Sequence, residues 1–511
     1  EKMWMWCILT LSMVGMSACT LSPTEKSYKI LMLLPVGSKS HRNVFLPLAE
    51  ALAERGHKVV MVQNQPPSLK NPNIHEMYHG MYKEWFDDFN PFEEDPIFKY
   101  LEKASTFAQE FYEIEEIKLL YKRRMDFDLV IIDFMVNEMA LPLAYGMPLM
   151  SIATPGLETR NSAKFGNFLN PAYVSPLARY IPPPIGILDR IVNSFIHCLP
   201  YIYWDYYVMP MIQTEISKHF PDLPPLHVLE KNQSLVLINN HFSLTSEVVP
   251  LLPSQVEVGG MHCRAAQPLP EDLLSWIEGD GEEGVVYFSL GSIARGKTLA
   301  DHHKQAFIKA FARLKQRVIW KYEGDIPGLS ENVLVRKWLP QQDLLAHPKI
   351  KVFIGHGGLL GLQEAMYHGT PVIIIPIFGD QLKNAQLFQH KGLGLALDWT
   401  TLTEDVIVES IHKLFKDPSY LSRLSTISHI MRDQLETPVE RAVFWTEYVI
   451  RHGGAKHLRS PAAELSWVQI LMLDAAIVIA TCIVTILALL WYIVCTCCCK
   501  RKRPIEKNKT E

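Results

Sequence analysis

Short, unbroken apolar runs alternate with helical periodicity in two separate blocks of the chain, and this alternation constrains the fold more than any other feature. In the first block, residues 29–34 read as a strand that ends at Pro35-Val36-Gly37-Ser38. Residues 43–54 then place Val44, Leu48, Ala51 and Leu52 on one helix face, and Arg55-Gly56-His57 closes that helix before a second strand at 58–62. A strand, a helix and a strand this close together form a βαβ unit, which favours a parallel sheet. Residues 129–132 and 148–152 are further strands around a helix at 138–145, and 235–239 reads as the last strand of this half. The stretch 71–121 reads as helices and long loops. The aromatic-rich stretch 191–211 reads as a buried helix, with an acceptor-pocket wall or a membrane-facing surface as the alternatives.

The second block is cleaner. Strands are expected at 285–290, 318–322, 333–335, 352–354 and 372–377, and helices at 299–316, 361–368 and 384–390. Apolar strands between helices mean sheets covered on both faces, with ligands beyond the carboxyl ends of the strands. The expectation is therefore an α/β chain of two halves, 20–248 and 261–466, joined by a Pro- and Gly-containing linker at 249–260.

Composition supports two large globular halves and removes some functions. With 511 residues, 48% of them hydrophobic and 20% charged, the chain has ample material for folded cores and is not a disordered polymer. Its 50 basic and 54 acidic residues leave a net charge of −4, which argues against nucleic acid as a partner. Both ends differ from globular sequence. The apolar run 4–14, followed by Ser17, Ala18 and Cys19, reads as a secretory signal peptide over 1–19, with an N-terminal anchor as the alternative. Residues 475–494 form an uncharged apolar run within an expected transmembrane helix at 470–494. Lys500, Arg501, Lys502 and Arg503 follow and place the tail, 495–511, in the cytosol. The expected arrangement is a type I membrane protein with its mass in a secretory lumen. Lys507 and Lys509 resemble a dilysine signal for retrieval to the endoplasmic reticulum, or are simply part of a basic tail.

Only Cys198 and Cys263 fall in the expected lumenal body, so a disulfide scaffold is not expected. Cys495, Cys497, Cys498 and Cys499 at the membrane edge are either palmitoylation candidates or reduced thiols. Asn232-Gln233-Ser234 is a lumenal glycosylation candidate at Asn232; Asn508 fits the same pattern on the cytosolic side.

The chemistry concentrates between Trp338 and Gln381. A strand at 352–354 runs into Gly355-His356-Gly357-Gly358 and then a helix, so free backbone N–H groups and the helix dipole offer a site for an anion such as a pyrophosphate. His356 adds a donor. Glu364, eight residues on and read as lying along the same helix face, can accept the hydroxyls of a ribose. Trp338 offers a stacking face for a base, and Asp380 with Gln381, read as ending a strand, can bind sugar hydroxyls. Singly, each has an ordinary structural explanation; together and in order, they form a nucleotide-sugar constellation.

Trp338-Leu339-Pro340-Gln341, His347-Pro348, His356-Gly357-Gly358, Glu364-Ala365, His368-Gly369-Thr370-Pro371 and Asp380-Gln381 resemble the signature of the UDP-glycosyltransferase family, especially its invertebrate membrane-anchored members. The resemblance extends over the whole chain. It implies the GT-B fold, two Rossmann-like domains facing across a cleft. It assigns Trp338 and Gln341 to the uracil, Glu364 to the ribose, and His356 with Gly357 and Gly358 to the diphosphate. Ser289-Leu290-Gly291-Ser292 matches a second phosphate loop and contributes Gly291 and Ser292, while Asp380 and Gln381 hold the sugar. Many relatives carry Ser-Asn after the glycines; here Leu359-Leu360 removes a side-chain phosphate contact.

His41 matches the family's general base and Asp133 its orienting carboxylate, although taken alone a histidine before a helix is often structural and a strand-end aspartate often a cap. Asp128 is the rival carboxylate. A neutral imidazole can take a proton from an acceptor hydroxyl as that oxygen attacks the anomeric carbon. The implied reaction is single-displacement transfer of a hexose from a UDP-sugar donor to a small lipophilic alcohol or phenol, with inversion, no cofactor and no metal. UDP-glucose is favoured over UDP-glucuronate. A membrane-tethered, non-catalytic carrier of sugar nucleotide or lipid is the alternative. A nicotinamide oxidoreductase lacks its Gly-x-Gly-x-x-Gly turn after the first strand. A homo- or hetero-oligomer is compatible with the anchor.

Overall fold

A computed structural model describes residues 21, 24, 26–81, 90–93, 96–244, 248–279, 283–292 and 294–501. The expected signal peptide at 1–19, and Lys502, Arg503, Lys507, Asn508 and Lys509 of the tail, lie outside the described residues. The chain divides into a large unit ending at Arg459 and a small one beginning at Ser460.

The large unit contains two parallel sheets. The first has seven strands: β1 (Lys29–Leu34), β2 (Lys58–Gln63), β3 (Ile74–Tyr78), β4 (Leu129–Asp133), β5 (Leu149–Ala153), β6 (Gln233–Ile238) and β7 (Gln255–Glu257), in the order β3-β2-β1-β4-β5-β6-β7. β1 is central because it can be buried on both faces: Ile30, Leu31, Met32 and Leu33 are fully buried, each such side chain contributing about 1.5–3 kcal/mol. It pairs in parallel with β2 through Lys29↔Lys58 and with β4 through Ile30↔Leu129. Helix α1 (Lys39–Glu54) follows β1; the Ser38 side chain accepts the backbone N–H of His41 at its start, and Gly56, at φ +90°, turns the chain after its end.

Four expectations for this half change. β3 lies in the stretch expected to lack strands; its sequence, Ile-His-Glu-Met-Tyr, is a half-exposed edge with no apolar run to reveal it. β7 lies inside the expected linker and replaces β6 as the last strand; three residues, Gln-Val-Glu, pair with β6 from Val236↔Gln255. The helix around Glu138 is a 3-10 segment, Glu138–Ala144, containing Pro142. Helix α2 (Ile187–Tyr203) is not buried as its apolar composition suggests: Ile187, Leu188, Phe195 and Leu199 are all more than half exposed.

The second sheet has six strands: β8 (Val285–Ser289), β9 (Arg317–Lys321), β10 (Val333–Arg336), β11 (Ile350–Gly355), β12 (Val372–Ile374) and β13 (Gly394–Ala396), in the order β10-β9-β8-β11-β12-β13. Helix α3 (Leu359–His368) follows β11 and ends on Gly369 at φ +77°. β12 stops three residues earlier than expected. Asp380 and Gln381 therefore do not end a strand; they open helix α4 (Gln381–His390), with Asp380 as its N-cap residue.

The last α-helix of the large unit, α5 (Pro438–Arg451), follows the second half in sequence but packs on the first. Its Ala442, Val443 and Val449 share a core with Val44, Phe45 and Leu48 of α1. Glu447 of α5 accepts hydrogen bonds from Arg55 at 2.6 and 3.0 Å and lies 3.0 Å from His57. The small unit contains helix α6 (Leu473–Arg501). Within it, Leu473–Cys497 has a mean hydropathy of 2.7 and is long and apolar enough to cross a membrane.

Candidate functional site

Each sheet reverses its strand order once, between β1 and β4 in the first and between β8 and β11 in the second. At such a point the connections from adjacent strands run to opposite faces, leaving a crevice at the carboxyl ends. α1 leaves β1 and carries His41, while Asp133 ends β4. Gly291 and Ser292 follow β8, and His356, Gly357 and Gly358 follow β11. The crevices contribute to one cleft of about 340 Å³, lined by Lys39, His41 and Thr154 from the first half and by Trp338, His356 and Asp380 from the second.

On the first side, His41 Nδ1 lies 2.5 Å from Asp133 Oδ2. Thr154, just beyond β5, donates to Asp133 Oδ1 at 3.1 Å and stands 3.0 Å from His41 Nδ1. Asp133 is fully buried and His41 partly exposed. Burial alone would lower the pKa of His41; the charge and hydrogen bond of Asp133 outweigh it, and Asp380 adds to them, so the pKa rises above 6.5. Neutral imidazole protonated at Nδ1 donates to Asp133 and keeps Nε2 as its basic nitrogen. Asp128 is engaged elsewhere, accepting the backbone N–H of Lys29 at 2.8 Å.

On the second side, Tyr287 OH donates to Gln341 Oε1 at 3.0 Å, and Gln341 Nε2 donates to Glu364 Oε2 at 2.5 Å. Burial raises the Glu364 pKa to about 7, against opposing contributions from Gln341 and Arg264. Trp338, 57% exposed, lines the cleft with this row. His356 precedes α3 rather than lying on it, and two glycines fit closely around its ring. A Cβ on Gly291 would meet His356 Cε1 at 2.5 Å, and one on Gly358 would meet Nε2 at 2.5 Å. Burial, then the charge of Lys321, lowers the His356 pKa to about 4. The ring is thus neutral near pH 7, and its buried Nδ1 has no hydrogen-bond partner among the described residues. Gly357, at φ +86°, completes the turn.

Asp380 accepts from Asn384 Nδ2 at 2.8 Å, and the same amide group donates to Gly357 O at 2.9 Å, tying α4 to the glycine turn. Burial raises the Asp380 pKa, with Asn384 and His41 opposing. Gln381 is buried, and its Oε1 accepts the backbone N–H groups of Ile377 and Phe378. Ser292 lines the cleft. Asn232, away from it, is exposed and accepts from Arg459 at 3.4 Å.

Residues 31–510 match the family model described as "UDP-glucoronosyl and UDP-glucosyl transferase". The chain belongs to this family. It is 34% identical to UDP-glycosyltransferase UGT5 of Dactylopius coccus over 91% of each chain. It is 31% identical to UDP-glucuronosyltransferase 2B1 of Rattus norvegicus, over 90% of this chain and 92% of the relative. A match to 2-hydroxyacylsphingosine 1-beta-galactosyltransferase of Homo sapiens is 32% identical, over 89% and 86%. Among solved structures, the LpCGTa complex with UDP superposes with a TM-score of 0.55 at 17% identity, over 83% of this chain and all of that one. The kitacinnamycin glycosyltransferase gives 0.56 at 19% identity, over 83% and 99%. The two parallel sheets are those of the GT-B fold.

Within this UDP-glycosyltransferase, the structure lines one cleft with His41 and the ten residues expected from sequence on the donor side, while Asp133 is buried against His41 and is not part of the lining. It also adds three. Thr154 announces itself only by standing at the carboxyl end of the strand beside β4. Tyr287 is hidden in the apolar strand β8, where only its hydroxyl hints at a task. Asn384 lies one helical turn beyond Asp380. Leu359 and Leu360 have a packing role: Leu359 joins the second-half core, and Leu360 packs against the core of the first half. Beside them, Gln363 donates to Asn239 O at 3.2 Å, stitching α3 to the first half.

Proposed function

We propose that this UDP-glycosyltransferase moves a hexose, glucose from UDP-glucose, to the hydroxyl of a small lipophilic alcohol or phenol, with His41 as general base. The observation that carries the reading is that the His41–Asp133 pair opens onto the same cleft as the Trp338–Gln341–Glu364 row and the His356 turn. Uracil stacks on Trp338 and bonds Gln341, the ribose hydroxyls bond Glu364, and the diphosphate lies against Gly291, Ser292, His356, Gly357 and Gly358. Asp380 and Gln381 meet the sugar hydroxyls, Gln381 through its amide nitrogen.

The acceptor oxygen attacks the anomeric carbon from the side opposite the diphosphate. The new C–O bond forms as the bond to the leaving UDP oxygen breaks, inverting the centre, while the acceptor proton passes to His41 Nε2. Asp133 stabilises the imidazolium that forms, and Thr154 holds Asp133. Backbone N–H groups and His356 meet the charge on the departing diphosphate, and the reading calls for no resident cofactor or metal.

The apolar α6 and the basic residues after it support a single-pass type I anchor in the endoplasmic reticulum membrane, with both halves lumenal and Asn232 glycosylated. The family description and the relatives' names include glucosyl, galactosyl and glucuronosyl transferases, so the donor is tested directly. Microsomes expressing the chain are given phenols, flavonoids and steroid alcohols with UDP-glucose or UDP-glucuronate, following UDP release and product mass. A glucoside formed by the native chain and lost in His41→Ala, with UDP binding retained, is the expected result. UDP binding without any product favours the carrier alternative; a product unaffected by His41→Ala refutes the assigned base.

A further inference from the structure

One cation in the cleft has no task in the reaction as drawn. Lys39 opens α1, two residues before His41, and its Nζ lies 3.3 Å from the centroid of the Trp338 ring on the other half. An ammonium over an indole face is attracted by the negative face of the ring. Lys39 and Trp338 both line the cleft, and Trp338 is the ring on which the donor base would stack, so a base entering from the cleft competes with the ammonium for the indole.

The surroundings give Lys39 a destination. Among the described residues, no carboxylate forms an ion pair with it. Lys321, whose Nζ donates to Gly291 O at 2.8 Å and is paired with Glu323, stands 5.7 Å from the same indole centroid. Burial, then the charges of Arg42 and Lys321, holds the Lys39 pKa below the ordinary lysine value. Two ammonium groups therefore converge on one ring beside the Gly291 turn, near the unpartnered Nδ1 of His356. These groups offer N–H donors and positive charge, a collection that an anion would relieve. The lysine stem is flexible enough to swing its ammonium without moving the helix that carries it.

We propose that Lys39 is a transferable cation of the donor site: it caps the stacking face of Trp338 in the empty cleft, is displaced by the nucleotide base, and then pairs with the diphosphate. The inference rests on the donor site proposed above. It makes the first half of the protein, which carries His41, respond to the donor bound mainly by the second. It also makes Lys39 discriminate in opposite senses between a nucleoside and its diphosphate. Uridine pays for displacing the cap and gains nothing from the cation, whereas UDP gains more from the pairing than the displacement costs.

The test is calorimetric titration of the full chain in detergent with uridine and with UDP, comparing the native protein, Lys39→Met and Lys39→Arg. Lys39→Met should bind uridine about 3- to 10-fold more tightly and UDP about 3- to 10-fold more weakly. The ratio of the two dissociation constants then falls about 10- to 100-fold. Lys39→Arg, which can both stack and pair, should keep the ratio within about threefold of the native value. An unchanged ratio in Lys39→Met, including equal weakening of both ligands, overturns the transfer while leaving the donor site intact. Failure of the native chain to bind UDP overturns both.

Discussion

Replacing Asp133 by asparagine removes one charge and nearly preserves the shape of the side chain. The carboxylate is fully buried, 2.5 Å from His41 Nδ1, and also accepts from Thr154. Two losses follow. An asparagine amide group can turn its N–H₂ toward Nδ1, which favours the tautomer protonated at Nε2, the nitrogen that must receive the acceptor proton. The imidazolium formed during transfer also loses its counter-charge. At 4 Å and an effective dielectric of 20, a pair of unit charges is worth about 4 kcal/mol, which corresponds to about 10³ in rate at 1.36 kcal/mol per tenfold. With the wrong tautomer added, kcat should fall about 10³- to 10⁴-fold, the scale on which a comparable aspartate-to-asparagine change acts in a histidine triad.

The assay is UDP release under saturating donor and acceptor across pH 5–9, with UDP affinity and the thermal midpoint measured on the same preparation. His41 works when neutral, and its folded pKa is raised. The native rate should therefore climb with pH through a value above 6.5. In Asp133→Asn, the charge and hydrogen bond that raise the pKa are gone while burial remains, so the residual rate should climb at lower pH. A loss smaller than tenfold, or an unshifted acid limb, would refute the dyad. A parallel collapse of UDP binding would assign Asp133 to structure.

Two further predictions concern the donor side. Glu364 has a pKa of about 7 in the empty site, and ribose hydroxyls bind its charged form, so uridine should bind about tenfold more weakly at pH 6 than at pH 8. Uridine itself does not titrate in that range, and calorimetry should find the difference abolished in Glu364→Gln; equal slopes in the two proteins exclude the assignment. Gly291→Ala places a methyl group 2.5 Å from His356 Cε1 at a residue with φ +86°, a conformation that costs a residue with a Cβ roughly 1–2 kcal/mol. UDP affinity should drop about tenfold or more, because the turn or the imidazole must move, and global stability should fall by roughly the same 1–2 kcal/mol of strain; an unchanged dissociation constant would mean that the loop does not hold the diphosphate.

Much of this was readable along the chain because it is local chemistry. β1, β4, β8 and β11 each hold an unbroken apolar stretch (Val352-Phe353-Ile354 in β11), so they had to be strands of covered sheets, and a covered parallel sheet binds at its carboxyl edge. The glycines around His356 mark a turn that needs positive φ at Gly357. The weak signals were those whose meaning is supplied by neighbours. β3 and β7 are short and polar, and exist because β2 and β6 present ladders to pair with. Asp380 and Gln381 were displaced from strand end to helix start because the ladder of β12 closes after three residues.

The order and spacing of residue types determined the α/β architecture, the glycine turn of the donor motif and the apolar C-terminal helix, since each depends on periodicity or on a turn made by consecutive residues, whereas His41 stood out as a base candidate only through resemblance to the family. Tertiary structure alone decided that His41 meets Asp133 across 92 residues, that α5 returns to seal the first half through Glu447, and that the ammonium of Lys39 lies on the indole of Trp338. Those contacts depend on the reversal of strand order in each sheet and on the approach of the two halves, and neither is encoded within any one stretch of the chain.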